Sequence, residues 1–488
     1  MTDYKTTIGL EIHAELKTRT KMFCSCLNDS NETDSASSLQ ARPNVNVCPV
    51  CLGHPGVMPT INRKAIEEVI KLGLALGGEI LNHSRFDRKS YFYPDLPKGY
   101  QISQYELPLV KGGELSGVQI RRIHLEEDTA RLLHGGDESL VDFNRAGVPL
   151  IELVTEPVID SALRALEFGK EVQLILRYLD ISDADMEKGQ MRVEANVSVA
   201  PQGHEELGAK VELKNINSFR NLRDAIDYEV DRQIGEINKG KNITQETRGY
   251  SSILGITGLQ RTKEEAHDYR YLPEPDLPPM ELTSLENINL EELRLSLPEL
   301  PEATRGRFKR EFELPGDQVE ALISERRLAD FFEHAVSELY EILIDEEHKK
   351  GTKILSSYIT TDVLGISRMR KKAISDSLLS SKNFAELGAL ITQNKISSRT
   401  AKDILPQMFD IGTDPHQIIK EKGLTQISNE TEINKIIKKV IAENQEAVES
   451  YKKGKLNSLQ FLAGQVMAKA KGRANPQVLQ ELLKKELR

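Results

Sequence analysis

Residues 7–16, TIGLEIHAEL, alternate without a break: Ile8, Leu10, Ile12, Ala14 and Leu16 are apolar, and between them stand Gly9, Glu11, His13 and Glu15. Successive side chains of a strand point to opposite faces, so this period of two predicts a β-strand with one face on a core. The other face then carries two carboxylates with an imidazole between them. IRRIHLEEDTARL (120–132) repeats the device, with His124, Glu126 and Asp128 on one side. In VPLIELVTEP (148–157) Glu152 interrupts a run apolar enough to be a buried strand. A buried carboxylate must be paired, neutralised or bound to metal. Three strands that each aim a carboxylate, one with a neighbouring histidine, make an oxygen-rich Mg²⁺ site conceivable, and such sites commonly handle phosphates. The competing reading is a solvated sheet face, since no ligand motif of fixed spacing is present.

Further along, MRVEANVSV (191–199) alternates with Arg192, Glu194, Asn196 and Ser198 on its polar face. KVELKNI (210–216) does so with Lys210, Glu212 and Lys214, and the turn-rich PQGHEELG lies between, which predicts a hairpin with a charged face. RKSYFYPDLPKGYQISQY (88–105) sets five aromatic residues, Tyr91 and Tyr93 among them, between Lys89, Lys98 and turn formers. That composition suits a shaped surface loop, or equally a loop stitched down by tyrosines. No G-x4-GK[ST] loop and no G-x-G-x-x-G turn occurs, so any nucleotide is gripped by other means.

Up to about residue 292 the text is turn-rich, with short alternating runs and a few helices. It closes on a strap of Pro273, Pro275, Pro278 and Pro279 that forces extended backbone. From about 294 helical periodicity takes over, as in DQVEALISERRLADFFEHAVSELYEIL. The helical text breaks near Leu405-Pro406, and the end, NSLQFLAGQVMAKAKGRANPQVLQELLKKEL, reads as two helices. Gly472 sits where a C′ glycine would stop the first, and Asn475 and Pro476 supply an N-cap and N1 proline for the second. The expected fold class is α+β: residues 1–293 form a domain around an antiparallel or mixed sheet, 294–408 an all-α domain and 409–488 a small helical tail domain.

The chain has 488 residues, 65 Lys plus Arg and 75 Asp plus Glu, for a net charge of −10. The average hides an asymmetry. Residues 451–488 hold nine Lys or Arg and two Glu, which is +7, leaving −17 for the rest, and such asymmetry signals a partner. No apolar tract is long enough to span a membrane, and MTDYKTTIGLEIHAEL lacks the basic and apolar regions of a secretory signal, so the expected location is the cytoplasm.

The four cysteines are Cys24, Cys26, Cys48 and Cys51, C-x-C and then C-x2-C. Two close pairs of thiols suit tetrahedral Zn²⁺ in a closed structural site. A disulfide is disfavoured in a reducing compartment. Four ordinary reduced thiols in a loop remain the alternative, because a one-residue spacer is unusual for zinc.

These stretches, together with DFNRAGVPLIELVTEP, MEKGQMRVEANVSV, ELKNINSF, KEEAHDYRYLPEPDLP and GQVMAKAKGRANP, resemble in order the B subunit of bacterial aspartyl/glutamyl-tRNA amidotransferase. Departures occur at Gln260, Leu272 and Val193-Glu194, where the family commonly has Met, Phe and Cys-Asp. The resemblance implies a carbon–nitrogen ligase of protein biosynthesis with glutamine as amido donor. It would phosphorylate the side-chain carboxylate of misacylated Glu-tRNA(Gln) or Asp-tRNA(Asn) with ATP, then replace phosphate by ammonia. It implies a cradle-shaped kinase and transamidase domain, and a heterotrimer in which an amidase-type A subunit releases ammonia and a small C subunit ties the two together. It implies Mg²⁺ on Glu11, His13, Glu126 and Glu152, with Lys89, Tyr91, Tyr93, Lys98, Arg192 and Lys214 around ATP or substrate. Lys452, Lys453, Lys455, Lys469, Lys471 and Arg473 of the basic tail are the expected tRNA contacts. The competing function is a non-catalytic, zinc-stapled tRNA-binding adaptor of such a complex.

Overall fold

The computed structural model describes residues 4–487 apart from 29–41, 205, 263–268, 285–287, 425–429, 456, 471–473 and 475. The chain divides into two compact units, Met1–Pro301 and Glu302–Arg488.

In the first unit TIGLEIHAEL lies within β1 (Tyr4–Glu15) and just past its end. There follow α1 (Arg63–Ala75), β2 (Asp87–Ser90), β3 (Tyr100–Ser103), β4 (Val118–Glu127), β5 (Pro149–Thr155), α2 (Ala162–Tyr178), β6 (Met191–Pro201), β7 (Val211–Lys214), α3 (Phe219–Asn238), β8 (Glu246–Ser251) and β9 (Ile256–Thr262). A ten-stranded sheet runs β9-β8-β7-β6-β1-β5-β4 and continues through Val110–Lys111 to Glu79–Ile80, with Glu114–Leu115 also paired to β4. Only β7 and β8 run parallel among these neighbours, so the sheet is mixed and the architecture is α+β as expected. Ile8, Leu10, Ile12 and Ala14 turn to one face and are buried with Val69 and Ile70 of α1, Phe168 and Val172 of α2, and Leu222 and Ile226 of α3. Each of the larger side chains contributes about 1.5–3 kcal/mol by leaving water. Serines start two of these helices: Ser161 and Ser218 accept from Arg164 N and Asn221 N, satisfying donors that have no partner inside the helix.

The opposite face carries the polar alternation. Register places Glu194 of β6 beside Glu11, Arg192 beside His13, Glu152 of β5 on the other side of His13, and His124 of β4 beside Glu152. β2 and β3 pair as a hairpin over this face. The proline-rich stretch is extended as its composition demands. Leu272–Pro273 pairs with β2 and Met280–Glu281 with His83–Ser84. Arg88 locks it down through a two-pronged bond to Glu274, 2.8 and 2.9 Å.

The second unit is helical and holds two separate cores. One gathers Phe308, Phe332, Phe384 and Phe409. Its helices include α4 (Arg326–Ile342), α5 (Asp345–Tyr358), α6 (Ser381–Thr392), α7 (Ser398–Ile411) and α8 (Pro415–Lys422). The other gathers Ile433, Ile437, Leu462, Val466, Leu479 and Leu483 from α9 (Glu430–Glu443), α11 (Asn457–Lys469) and α12 (Pro476–Glu486), with α10 (Gln445–Lys452) adding Val448. The periodic run 317–343 is helical as expected, in two helices interrupted at Ser324 and Glu325. One sequence expectation needs correction. The break at Leu405-Pro406 does not occur: α7 runs through Pro406, because Ile404, Leu405, Met408 and Phe409 are all buried on one side of it. That packing outweighs the roughly 3 kcal/mol an internal proline costs. Pro476 opens α12 as expected, whereas Gly472 and Asn475 lie outside the described residues.

Candidate functional site

The three strands that each carry a carboxylate lie side by side, and their acids converge on one imidazole. His13 Nε2 is 3.7 Å from Glu11, 3.5 Å from Glu126 and 3.5 Å from Glu152. All four residues singled out from the sequence therefore meet. The crowding shows in their proton affinities. Burial, and then the charge of Glu152, pushes Glu11 up to about 7. Burial works against a charged His13, yet the hydrogen bond to Glu152 and the charges of Glu126 and Glu11 lift it to about 9. Burial also opposes charge on Glu152, but His124 and His13 hold it well below the usual carboxylate range.

Around the cluster lies a cleft of about 870 Å³, including its part open to solvent. Glu11, Glu152, Lys89, Arg122 and Lys214 line it, and Tyr105, Tyr269 and Tyr271 form one wall. Lys89, on β2, is held charged: burial opposes this, but Glu126, Tyr271, Glu152 and Tyr91 outweigh it and keep its pKa well above the lysine norm. Its ammonium stands 5.1 Å over the Tyr269 ring. Lys214 is anchored 2.9 Å from Glu194 and 3.4 Å from Glu212, the charged hairpin face expected from alternation. Tyr105 and Tyr271 stack with centroids 4.3 Å apart.

Not every candidate reaches this cleft. Arg192 turns to Asp128, 2.8 Å away, in a second buried group where burial and Asp128 push Glu15 up to about 8. Lys98 pairs with Glu127 and lines a separate cavity of about 720 Å³ beside Cys24 and Cys51. Tyr91 meets Tyr269 edge-on, and Tyr93 is exposed. Lys452, Lys453 and Lys455 are exposed near the end of α10, Lys469 closes α11 paired to Glu443, and Lys471 and Arg473 lie outside the described residues.

Further residues complete the site. His124, already placed by alternation beside Glu126, and Arg122, absent from the sequence-derived set, precede Glu126 by two and four positions on β4. Arg122 Nε donates to His124 Nδ1 at 3.4 Å, which leaves Nε2 to donate to Glu152 at 3.2 Å. In this arrangement His124 orients Glu152, the role of a residue behind a metal ligand. Ser103 holds the other oxygen of Glu126 at 3.1 Å. Tyr269 and Tyr271 come from the DYRYLPEPDLP stretch, which only tertiary folding brings over β1.

Three groups of side chains, two of them sharing Glu152, are placed to hold metal. Glu11, His13 and Glu152 present ligand atoms within 4.8 Å of one another, and so do His124, Glu126 and Glu152, and the four cysteine sulfurs. The donors suit the ions. Crowded carboxylates with raised proton affinity are relieved by a hard dication. The cysteines are unbridged, and the 3.9 Å between Cys48 and Cys51 sulfurs matches the ~3.8 Å edge of a tetrahedron with 2.3 Å Zn–S bonds. Without metal, the Cys24 hydrogen bond, backed by Lys21, pulls Cys51 down to about 4, and burial pushes Cys26 up to about 11.

Comparison with known proteins gives a consistent assignment. Residues 6–286 match the family model described as the GatB/GatE catalytic domain, and residues 330–487 match that of the GatB domain. The B subunit of the aspartyl/glutamyl-tRNA(Asn/Gln) amidotransferase of Caldanaerobacter subterraneus is 45% identical over 99% of both chains. Those of Thermoanaerobacter pseudethanolicus and Thermotoga maritima are 46% and 44% identical, again over 99% of each chain. With two domain models in order and full-length identity at this level, the chain belongs to the family of aspartyl/glutamyl-tRNA(Asn/Gln) amidotransferase B subunits.

Proposed function

We propose that this chain is the kinase and transamidase component of a glutamine-dependent tRNA amidotransferase, acting on misacylated Glu-tRNA(Gln) or Asp-tRNA(Asn). The observation that carries the reading is the gathering of Glu11, Glu126 and Glu152 about His13, with Glu11 and Glu152 lining a cleft that Lys89, Arg122 and Lys214 also line. A carboxylate resists amines until one oxygen becomes a leaving group. Its phosphorylation by ATP, with release of ADP, creates that group, and attack of ammonia at the carbonyl carbon expels phosphate and leaves the amide. Glu11, His13, Glu126 and Glu152 would hold Mg²⁺, which supplies charge neutralisation for phosphoryl transfer. Lys89 and Arg122 bring fixed positive charge to the same cleft, where positioning and electrostatics provide most of the catalysis. Lys214, already neutralised by Glu194 and Glu212, is better suited to hold a polar substrate group than to meet a full phosphate charge. The tyrosine wall limits water at a site whose acyl phosphate would otherwise hydrolyse.

Membership of a family of B subunits supports assembly with an amidase-type A subunit and a small C subunit as ammonia source, in the cytoplasm. Among the described residues no helix is long and apolar enough to cross a membrane. We assign residues 1–293 to the reaction, the four cysteines to structural Zn²⁺, and the helical remainder, 294–488, to tRNA, its last part through Lys452, Lys453, Lys455 and their neighbours. Co-expression with the A and C subunits tests this by conversion of Glu-tRNA to Gln-tRNA with ATP and glutamine. A complex that assembles and binds tRNA but never consumes ATP refutes the catalytic role and leaves an adaptor.

A further inference from the structure

We propose that Lys21 is the counter-cation of the four-cysteine metal site and sets how firmly the metal is retained. The inference rests on the zinc reading above and concerns a residue that neither spacing nor resemblance singles out. Lys21 is fully buried, 0% exposed. Its Nζ donates to Cys51 Sγ at 3.8 Å and to Phe143 O at 3.2 Å, and no carboxylate is paired with it among the described residues. A buried ammonium needs an anion close by. Among the described residues the anions within its reach are the cysteine sulfurs, provided they are thiolates. A dication held by four thiolates carries a net charge of about −2, itself costly to bury, and one ammonium in contact halves it. Lys21 is therefore the complement of a charged metal–sulfur centre, whose negative charge it meets at Cys51.

The backbone holds it in place. Lys21 N donates to Cys26 O at 2.9 Å and Met22 N to Gly147 O at 2.7 Å, so the lysine is fixed between the first cysteine pair and the segment leading into β5. Gly147 has φ +87°, and a Cβ there would lie 3.6 Å from Lys21 Cδ and 3.5 Å from Cys51 Cβ. The ammonium is thus delivered to Cys51 by packing on both sides of its stem.

The test uses the full-length protein purified under reducing conditions. Zinc content is read by mass spectrometry, and zinc transfer to a chromophoric chelator by absorbance. Wild type should contain one zinc. Lys21→Met should release it about 10–100-fold faster, the usual effect of losing a group behind the ligands, while Lys21→Arg stays near wild type. Lys21→Gln, which can still donate to Phe143 O and loses the charge alone, substitutes if the methionine variant does not fold. Zinc release within twofold of wild type in a folded charge-neutral variant overturns the proposal while the zinc reading stands. Wild type without zinc overturns the zinc reading itself, and Lys21 with it.

Discussion

Protons and metal compete for the same atoms in the carboxylate–histidine cluster, and the site fixes how steep that competition is. Glu11 is pushed up to about 7 by burial and Glu152, and His13 is lifted to about 9 by Glu152, Glu126 and Glu11 against the pull of burial. At pH 7 His13 then keeps its proton in about 99 of 100 molecules and Glu11 in about half. A ligand binds metal only after its proton leaves, and both affinities for protons are raised, so Mg²⁺ must bind more weakly as pH falls. Between pH 6 and pH 8 the gain is about tenfold from Glu11 alone and on the order of a hundredfold or more when His13, which titrates with it, is also a ligand. Calorimetric titration with magnesium chloride at pH 6, 7 and 8 and constant ionic strength measures it. His13→Asn should retain only the tenfold component. A wild-type change near tenfold would strike His13 from the ligands and keep Glu11. A change under threefold, or tighter binding at low pH, would refute both assignments and the electrostatic account of the cluster.

Other perturbations probe the site and its supports. Glu126→Ala should lower tRNA-stimulated ATP hydrolysis by about 100-fold or more with an unchanged circular dichroism spectrum, and normal turnover would remove Glu126 from the site. Glu68 on α1 is buried with Oε2 unpaired, its nearest cation Lys64 3.9 Å away, and burial pushes it up to about 7. The native carboxyl holds its proton more tightly than the unfolded one, so stability is lost as pH rises from about 4.5 to 7. Glu68→Gln should recover up to about 3 kcal/mol at pH 8 and nothing at pH 4, and equal urea midpoints at pH 8 would contradict this. Glu274→Ala leaves Arg88 partly buried and without its two-pronged partner; denaturant titration should show a loss of about 3 kcal/mol. Replacing Lys452, Lys453 and Lys455 together by Ala should flatten the log–log salt dependence of tRNA affinity by about 2–3, and an unchanged slope would move the contact elsewhere.

What the sequence revealed follows from the range of each signal. Alternation is local, so β1, β4, β5 and the β6–β7 face could be read directly, and with them Glu11, His13, Glu126 and Glu152. The ring of supporting groups was harder to read because it depends on register. His124 matters only because β5 sets Glu152 opposite it, and Tyr271 only because the 272–281 segment pairs back onto β2 and His83–Ser84. Arg192 was only half legible for the same reason: alternation places it on the correct face, but its pairing with Asp128 beyond the end of β4 depends on register. Pro406 misled in the opposite direction. A strong local breaker gave way to four buried side chains on one side of α7.

The same alternation that buries β1 also assembles the cluster, so neither can change alone. Ile8, Leu10, Ile12 and Ala14 fix which face of β1 meets the helices, and that choice leaves Glu11 and His13 on the other face, between Arg192 and Glu194 of β6 on one side and Glu152 of β5 on the other. A slip of one residue in either pairing would exchange the faces, putting two carboxylates and an imidazole into the apolar core and Ile12 into the cleft. Repulsion among three acids around one histidine is an electrostatic cost the isolated strands would relieve by separating. Burial of the apolar face, at about 1.5–3 kcal/mol for each large side chain, is what keeps them together. The carboxylates are therefore held in a mutually repulsive arrangement by packing on the far side of the sheet, ready for a dication, rather than assembled by the ion they would bind.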